Sequence, residues 1–424
     1  MAPRPRFCVI ADDLTGALDT AAPFASHGWR TRVVPWPSDR LGTRPVAARE
    51  VLGRRSGVAR DALGDRPEPG LDGLARVVAR AWAGADVVVV DTASRHVAPR
   101  EAARRVRVAM AAGAAHGRGC ASYKKIDSTL RGNVAAELAA FRRASGVHCL
   151  PTAPAFPAQG RTTRRGAVFV HGRALAASAA ARDALDPVAD GVVARLAPPG
   201  TLEVFDAETD VDLRRIVRRL ASEGRLRGLV GSGGLATAIA ATLGTRRRTV
   251  ETRASGPVLV VAGSAHAASR AQVAALVADG ALGLVAPVAS RGVARDVEAT
   301  VLLAADALGA GRTVALVPPP VATGTRVDPR TAHAVAQRLA AIVMRLVAAA
   351  PVGAVFSVGG DTTAAVVAAA EWAPLDVAGA LVPGVAVVAL RPERRGRGPH
   401  WLVTKSGAFG DADTLRRLVR RLTL

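Results

Sequence analysis

Aromatic side chains are scarce in this 424-residue chain: eight Phe, five Trp and a single Tyr, together 3% of the sequence. Proteins that hold single-stranded nucleic acid rely on aromatic platforms for the bases. The net charge of +22, from 57 Lys and Arg against 35 Asp and Glu, therefore does not by itself point to a nucleic-acid partner. Much of the basic excess falls on amphipathic helices such as "VDLRRIVRRLASEG" and "DTLRRLVRRLTL". In the first of these, Leu213, Ile216, Val217 and Leu220 make an apolar stripe, and Arg214, Arg215, Arg218 and Arg219 face water. Only three cysteines occur, Cys8, Cys120 and Cys149, odd in number and widely spaced, so neither a disulfide framework nor a metal-ligand spacing is present. Buried thiols in a reducing compartment fit that usage. No charge-free run is long enough to cross a bilayer. Met1–Arg6 leads into only five apolar residues, Phe7–Ala11, short of a signal-peptide core. A cytoplasmic protein is the expectation. The eight histidines form no metal pattern; His266 reads as a helix-start surface residue.

What is present is an alternation. Short Val/Ile/Leu runs, "FCVIA" (7–11), "DVVVVD" (86–91), "GLVGS" (228–232), "PVLVVAGS" (257–264), "TVALVP" (313–318) and "GAVFSVGG" (353–360), alternate with longer Ala/Leu/Arg segments of helical period. Continuous apolar runs ending in small or polar turn residues are what parallel strands buried on both faces look like. The expected fold class is α/β, in two domains because the length exceeds one ordinary core. Each domain is a mostly parallel sheet flanked by helices. A polar, basic stretch at 243–257, ending in Gly-Pro, marks the boundary and predicts domains at 1–245 and 256–424. Residues 35–72 and 318–329, rich in Pro and Gly, read as loops. Ligands gather at the carboxyl ends of such strands.

Chemistry-bearing residues sit at those ends. "IADDLTG" places Asp12 and Asp13 where a strand stops, with a helix cap by Asp13 or Thr15 compatible with any further role. In "YKKIDSTLRGNVAAEL" (123–138), a strand ending at "YKKID" puts Lys125 and Asp127 on one face and Lys124 on the other. Ser128, Thr129, Arg131 and Gly132 then form a turn, with Asn133 as a good N-cap for a helix from Val134. Such a turn suits a carboxylate or phosphate, although charges pairing among themselves would look the same. In "DTASRH" (91–96), Asp91, Ser94 and Arg95 suit an anion or a polyol, and a plain helix cap by Thr92 or Ser94 fits equally well. "PAFPAQGRTTRRG" (154–166) reads as a rigid irregular loop; Gln159, Arg161 and Thr162 are within reach of a ligand, but a structural connection is the simpler account.

Three strand–turn–helix junctions in the second half point to a nucleotide. "AGSAHAASRAQV" offers backbone N–H groups and Ser264; "SVGGDTTAAVV" offers Gly359, Gly360, Asp361 and Thr362, with Asp361 read as a helix cap, a ribose ligand or a Mg²⁺ ligand; "TKSGAFGDADTL" offers Lys405 and Gly407. None contains a P-loop or dinucleotide fingerprint.

In order along the chain, "IADDLTGALD", "DTASR", "KKIDSTLRGN", "PAFPAQGRTTRRG", "GSGGLA", "AGSAHAASRAQV", "VGGDTTAAV" and "TKSGAFGDADTL" resemble the four-carbon acid sugar kinase family. That resemblance implies an acid-sugar-binding N-terminal domain, a nucleotide-binding C-terminal domain, and an active site in the cleft between them. It implies ATP-dependent phosphorylation of the terminal hydroxyl of threonate, erythronate or a 3-oxo-tetronate, in carbohydrate acid catabolism. It assigns Asp12, Asp13, Ser94, Arg95, Lys125, Asp127 and Arg131 to the acid sugar, with Ser128 in the same turn. Ser264, Gly359–Thr362 and Gly407 go to ATP, with Lys405 beside them. The expected partners are the acid sugar and ATP with Mg²⁺, whose protein ligands are unknown, and neither nucleic acid nor membrane; a homodimer is left open. Asp13 and Asp127 lead as the catalytic base. Two rivals stand: a phosphohydrolase with an aspartyl nucleophile, whose second Asp normally follows two residues on rather than one, and a non-catalytic protein that binds anionic sugars.

Overall fold

The computed structural model describes residues 4–37, 71–117, 119–178, 181, 187–188, 190–245, 250–264, 266–287, 293–320, 328–390, 399–407 and 409–423. Most of the two segments expected as loops, 35–72 and 318–329, lies outside these residues. The chain divides into two compact units, Met1–Arg248 and Thr249–Leu424.

In the first unit, strands β1 (Phe7–Ala11), β2 (Thr31–Val34), β3 (Val87–Asp91), β4 (Ala121–Lys125), β5 (Leu150–Ala153), β9 (Leu202–Val204) and β10 (Leu229–Gly231) are all parallel, in the order β2-β3-β1-β4-β10-β5-β9. Val87 to Val90 are wholly buried because helices cover both faces of the sheet. Burying each such side chain favours folding by roughly 1.5–3 kcal/mol. The helices are α1 (Leu14–Ser26), α2 (Leu71–Trp82), α3 (Pro99–His116), α4 (Val134–Ser145), α5 (Asp210–Ser222) and α6 (Gly233–Leu243). On α5 the buried residues are Leu213, Ile216, Val217 and Leu220, as the 3.6-residue pattern requires. A small antiparallel sheet, β6 (Arg161–Arg164), β7 (Ala167–Val170) and β8 (Arg173–Ala174), stands apart from the large one.

That small sheet corrects the reading of 154–166 as irregular throughout. The loop ends at Gly160, and Arg161–Arg164 pairs with Ala167–Val170. Four residues are too few to display a period. The hairpin's signal is Arg165-Gly166, where φ is +49° and +71°, the double positive φ of a two-residue hairpin turn.

In the second unit, β12 (Leu282–Val285), β13 (Val314–Val317), β11 (Val258–Ala262), β14 (Ala354–Val358) and β17 (Trp401–Lys405) run parallel in that order. β16 (Val385–Ala389) and β15 (Leu375–Val382) extend the sheet antiparallel. Helices α7 (Ala267–Ala278), α8 (Val293–Gly309), α9 (Pro329–Ala349), α10 (Gly360–Ala369) and α11 (Thr414–Thr423) flank it. α9 is long and apolar enough to cross a bilayer by length and composition. It nevertheless buries one stripe, Leu339, Val343 and Leu346, while Arg345 pairs with Glu298 of α8. That is the pattern of a helix packed within this unit.

Both sheets share a winding that matters for function. Each first strand, β1 or β11, has its next two strands on one side and a later strand, β4 or β14, on the other. The chain thus switches direction beside β1 and beside β11, and the loops at the carboxyl ends there diverge to leave space for a ligand. Of the three cysteines, Cys8 is buried, and burial raises its thiol pKa; Cys120 and Cys149 are only half-buried, and all three are free.

Candidate active site

Asp12 and Asp13 follow β1 at its carboxyl end. Asp13 caps α1, its Oδ1 accepting from the Gly16 N–H at 3.2 Å. Asp12 is buried, and its carbonyl accepts from the N–H groups of Ser94 and Arg95, tying the turn after β3 to the end of β1. Arg95 then bridges the two acids: Nε donates to Asp12 Oδ2 and Nη2 to Asp13 Oδ1, both at 2.8 Å. Lys125, the last residue of β4, lies 3.5 Å from Asp12 Oδ1 and 3.4 Å from Asp13 Oδ1. Arg95 also approaches Asp127 at 3.8 Å. Two carboxylates side by side persist because two cations meet them. Although burial opposes it, Arg95 and Lys125 hold the Asp12 carboxyl well below the usual carboxylate range.

Asp127 is the most heavily committed acid. Its Oδ2 accepts from the Thr129 N–H, the Thr129 hydroxyl and Arg131 Nε, and its Oδ1 from Arg131 Nη2. Burial alone would raise its pKa, but Arg131 and Arg95 hold it well below the ordinary value. The turn that positions these groups puts Leu130, a buried non-glycine residue, at φ +62°. Such a conformation costs of order 1–3 kcal/mol and tends to occur where function needs it. At Gly132 (φ +85°) a side chain would press on Arg95, 3.2 Å from its Cγ. Ser128 sits half-buried in the same turn.

Asp13 differs from both. It is half-buried, and Gly16, Arg95 and Lys125 all contact its Oδ1, so among the described residues none of these bonds uses Oδ2. Asp91, at the end of β3, accepts from the Ala93 N–H at 2.8 Å; burial pushes its pKa up to about 7.

Beneath this cluster lies a layer the sequence reading did not identify. Lys124 points to the opposite face of the sheet from Lys125 and pairs with Glu137 Oε2 of α4 at 2.9 Å. Glu137 Oε1 accepts from the Ser94 hydroxyl, which also meets the Thr92 hydroxyl at 2.6 Å, and Thr92 donates to the Ala11 carbonyl. Ser94, expected to touch the substrate, is therefore fully buried and holds the Arg95 turn from below. Neither Thr92 nor Ser94 caps a helix, since α3 begins beyond Ala98. Asn133 does stand at the N-cap of α4, but its side chain does not cap it: Nδ2 donates to the carbonyls of Ser94, Arg95 and Val97. Glu137 was legible as an anomaly, an acid on the same helical face as Val134, Leu138 and Phe141, which must be buried. Asp19, one further turn and a half along α1, was also missed; burial pushes it up to about 6, and its Oδ2 fills the space beside Gly233 at the start of α6.

In the second unit the three glycine-rich junctions come together. A Cβ on Gly407 would lie 2.1 Å from Ser264 Oγ, and one on Gly359 3.3 Å from Ser264 Cβ. A Cβ on Gly263 would strike the Thr362 hydroxyl at 2.1 Å. Gly359, at φ +108°, is the N-cap of α10 and donates its N–H to the Lys405 carbonyl. Asp361 is thus in the first turn and not the cap. His266 caps α7, its Nδ1 accepting from Ala268 N–H. Lys405 is buried, donates to the Ser406 carbonyl, and is brought down to about 8 by burial.

Two family models match the chain: a sugar-binding N-terminal domain over residues 7–202 and a nucleotide-binding C-terminal domain over 259–415. A D-threonate kinase of Bordetella bronchiseptica is 32% identical, over 99% of this chain and 98% of its own. A 3-oxo-tetronate kinase of Methylobacterium radiotolerans is 31% identical over 96% and 97%. The crystal structure of a Salmonella typhimurium LT2 protein superposes with a TM-score of 0.71, covering 98% and 99% of the two chains at 22% identity, a likeness of fold alone. The chain belongs to the four-carbon acid sugar kinase family.

Proposed function

We propose that this protein transfers the γ-phosphoryl group of ATP to the terminal hydroxyl of a four-carbon acid sugar, with D-threonate the first substrate to test because the relative matching at 32% over nearly its full length is named for it. The first unit would hold the acid sugar at the carboxyl ends of β3, β1 and β4, and the second the nucleotide on the turns after β11, β14 and β17. The family models for a sugar-binding domain over residues 7–202 and a nucleotide-binding domain over 259–415 support that division of labour.

The observation that carries the mechanism is the unequal commitment of the three aspartates. Phosphoryl transfer asks mainly for positioning and charge neutralisation, with a carboxylate to accept the hydroxyl proton. Asp127 and Asp12 are held ionised with both oxygens engaged, which suits structure and polyol recognition. Asp13 keeps Oδ2 open, at the edge of the cluster, with Arg95 and Lys125 fixing its other oxygen. We assign the proton acceptor to Asp13. Arg95, Lys125 and Arg131 supply positive charge for an anionic substrate.

For the nucleotide, the missing side chains of Gly359 and Gly407 let the turns after β14 and β17 close on Ser264, and these turns would offer backbone N–H groups and the Ser264 hydroxyl to phosphates. Among the described residues no three His, Cys, Asp or Glu side chains gather as a metal site. Asp361, exposed in the first turn of α10, would help hold a magnesium ion brought with ATP. When bound there it would neutralise phosphate charge. The purified chain should consume ATP in the presence of D-threonate, D-erythronate or a 3-oxo-tetronate and release no phosphate without ATP; failure with all of them overturns the assignment. Asp13→Asn, which preserves the helix cap, should lower kcat by about 10²–10⁴-fold, and Asp127→Asn should act mainly on KM.

A further inference from the structure

Arg161 is near enough to Asp127 and Arg131 to feel their charges, yet took no part in the assignments above. Its backbone is fixed on both sides. Phe156 N–H donates to the Arg161 carbonyl at 2.8 Å, and the Arg161 N–H returns a bond to Phe156 at 3.1 Å. The preceding Gly160 adopts φ +71°, where a side chain would run into the His171 ring, and its carbonyl accepts from His171 N–H at 2.7 Å. On the guanidinium, Nη1 is tied to the Gln159 carbonyl and approaches Gln159 Oε1 at 3.4 Å. Nε is buried with no hydrogen-bond partner in the described structure. Among the described residues the Nε–Nη2 edge, the side of an arginine that grips a carboxylate with two parallel bonds, holds no hydrogen bond. Burying such a donor unpaired costs about 1–3 kcal/mol, and an orphan of this kind calls for an explanation.

The surroundings explain it as an anion site. Asp127 and Arg131 are close enough to act on the Arg161 charge, Asp127 favouring it and Arg131 opposing it. Asp127 is already engaged on both oxygens by Thr129 and Arg131, with Arg95 at 3.8 Å, and among the described residues it makes no hydrogen bond to Arg161. Arg131 therefore takes the ion pair with Asp127, while Arg161 lies near enough to feel both charges.

We propose that Arg161 is a specificity-determining residue that binds the substrate's carboxylate through its Nε–Nη2 edge, beside Arg131, and so selects acid sugars over the corresponding polyols. This deepens the kinase reading and rests on it for the identity of the anion. The carboxylate satisfies the buried Nε and neutralises a cation that Arg131 crowds. Gln159 and Gly160 present the guanidinium in one orientation, so little side-chain freedom remains to be lost on binding.

The test compares wild type, Arg161→Lys and Arg161→Gln in the full chain, with D-threonate and with threitol, which lacks the carboxylate. For Arg161→Gln, the KM for D-threonate should rise about a hundredfold, as loss of a bidentate charge-assisted contact implies, with kcat and the KM for ATP within a few-fold of wild type. The preference for threonate over threitol should collapse, and Arg161→Lys should recover only part of it because a point charge lacks the fork. An unchanged threonate KM in a variant with wild-type circular dichroism overturns the proposal, as does an equal loss for threonate and threitol. Calorimetric titration with D-threonate separates the two readings. If wild type turns over no acid yet binds threonate, and Arg161→Gln abolishes that binding, the kinase reading falls and the subsite stands. If wild type binds no threonate, the subsite falls.

Discussion

Lys124 and Glu137 pair at 2.9 Å with their side chains 0% and 2% exposed, on the face of the sheet opposite the aspartate cluster. Glu137 passes that interaction on through Ser94 to the turn bearing Arg95. Breaking a buried pair leaves a naked charge, whereas replacing both partners by apolar groups can be nearly neutral. Lys124→Met or Glu137→Gln alone should cost about 3–5 kcal/mol in urea unfolding. The double variant Lys124→Met/Glu137→Leu should recover most of that stability, yet keep a raised substrate KM because Ser94 has lost its acceptor.

Gly16 tests how closely the cluster is built. A Cβ there would meet Lys125 Nζ at 2.1 Å and Asp13 Oδ1 at 2.4 Å. Gly16→Ala should raise intrinsic helix stability by up to about 1 kcal/mol, while the flexible lysine swings away. Thermal unfolding is therefore expected to change little and kcat/KM to fall at least about tenfold, as removal of one charge-assisted contact implies. A parallel loss of both would mean that Lys125 acts on the fold alone.

The pH dependence of stability should single out Asp91. A free aspartate titrates near 3.9, whereas burial pushes Asp91 up to about 7. Between those values the folded protein keeps a proton that the unfolded chain has released, so this residue lowers stability progressively as pH rises from about 4 to 7, and the deficit is constant above that. Asp91→Asn stays neutral and keeps an oxygen for the Ala93 N–H. Its stability should be close to that of wild type near pH 4 and exceed it at pH 8 by on the order of 4 kcal/mol, three pKa units at about 1.4 kcal/mol each, measured by urea midpoints across that range.

The nucleotide turns make a separate prediction. Gly407→Ala places a methyl on Ser264 Oγ, at 2.1 Å. ADP affinity by calorimetry should drop at least about tenfold, the cost of one displaced phosphate contact, with D-threonate affinity unchanged.

Much of this was legible without coordinates. The valine runs announced buried parallel strands, and the small and polar residues after them announced where those strands would end. The helix over 210–222 buries the four residues its period selects. The hairpin at 161–170 was less visible because its strands are too short to show alternation. Side-chain roles were harder still. Asn133 looks like a cap and stands at the cap position, but three carbonyls of another turn claim its amide.

The residues alone determined the α/β alternation and the grouping of Asp12, Asp13, Arg95, Lys125, Asp127 and Arg131 at strand ends, because burial on both faces makes a polar side chain within a strand costly unless it is paired. Periodicity assigns a side chain to a face, however, and says nothing of its partner. Arg95 and Lys125 lie 82 and 112 positions from Asp13, and only the order β3-β1-β4 brings them onto it. That packing decided which aspartate oxygen stays open, which serine is buried, and that a buried Lys124–Glu137 pair lies beneath the site.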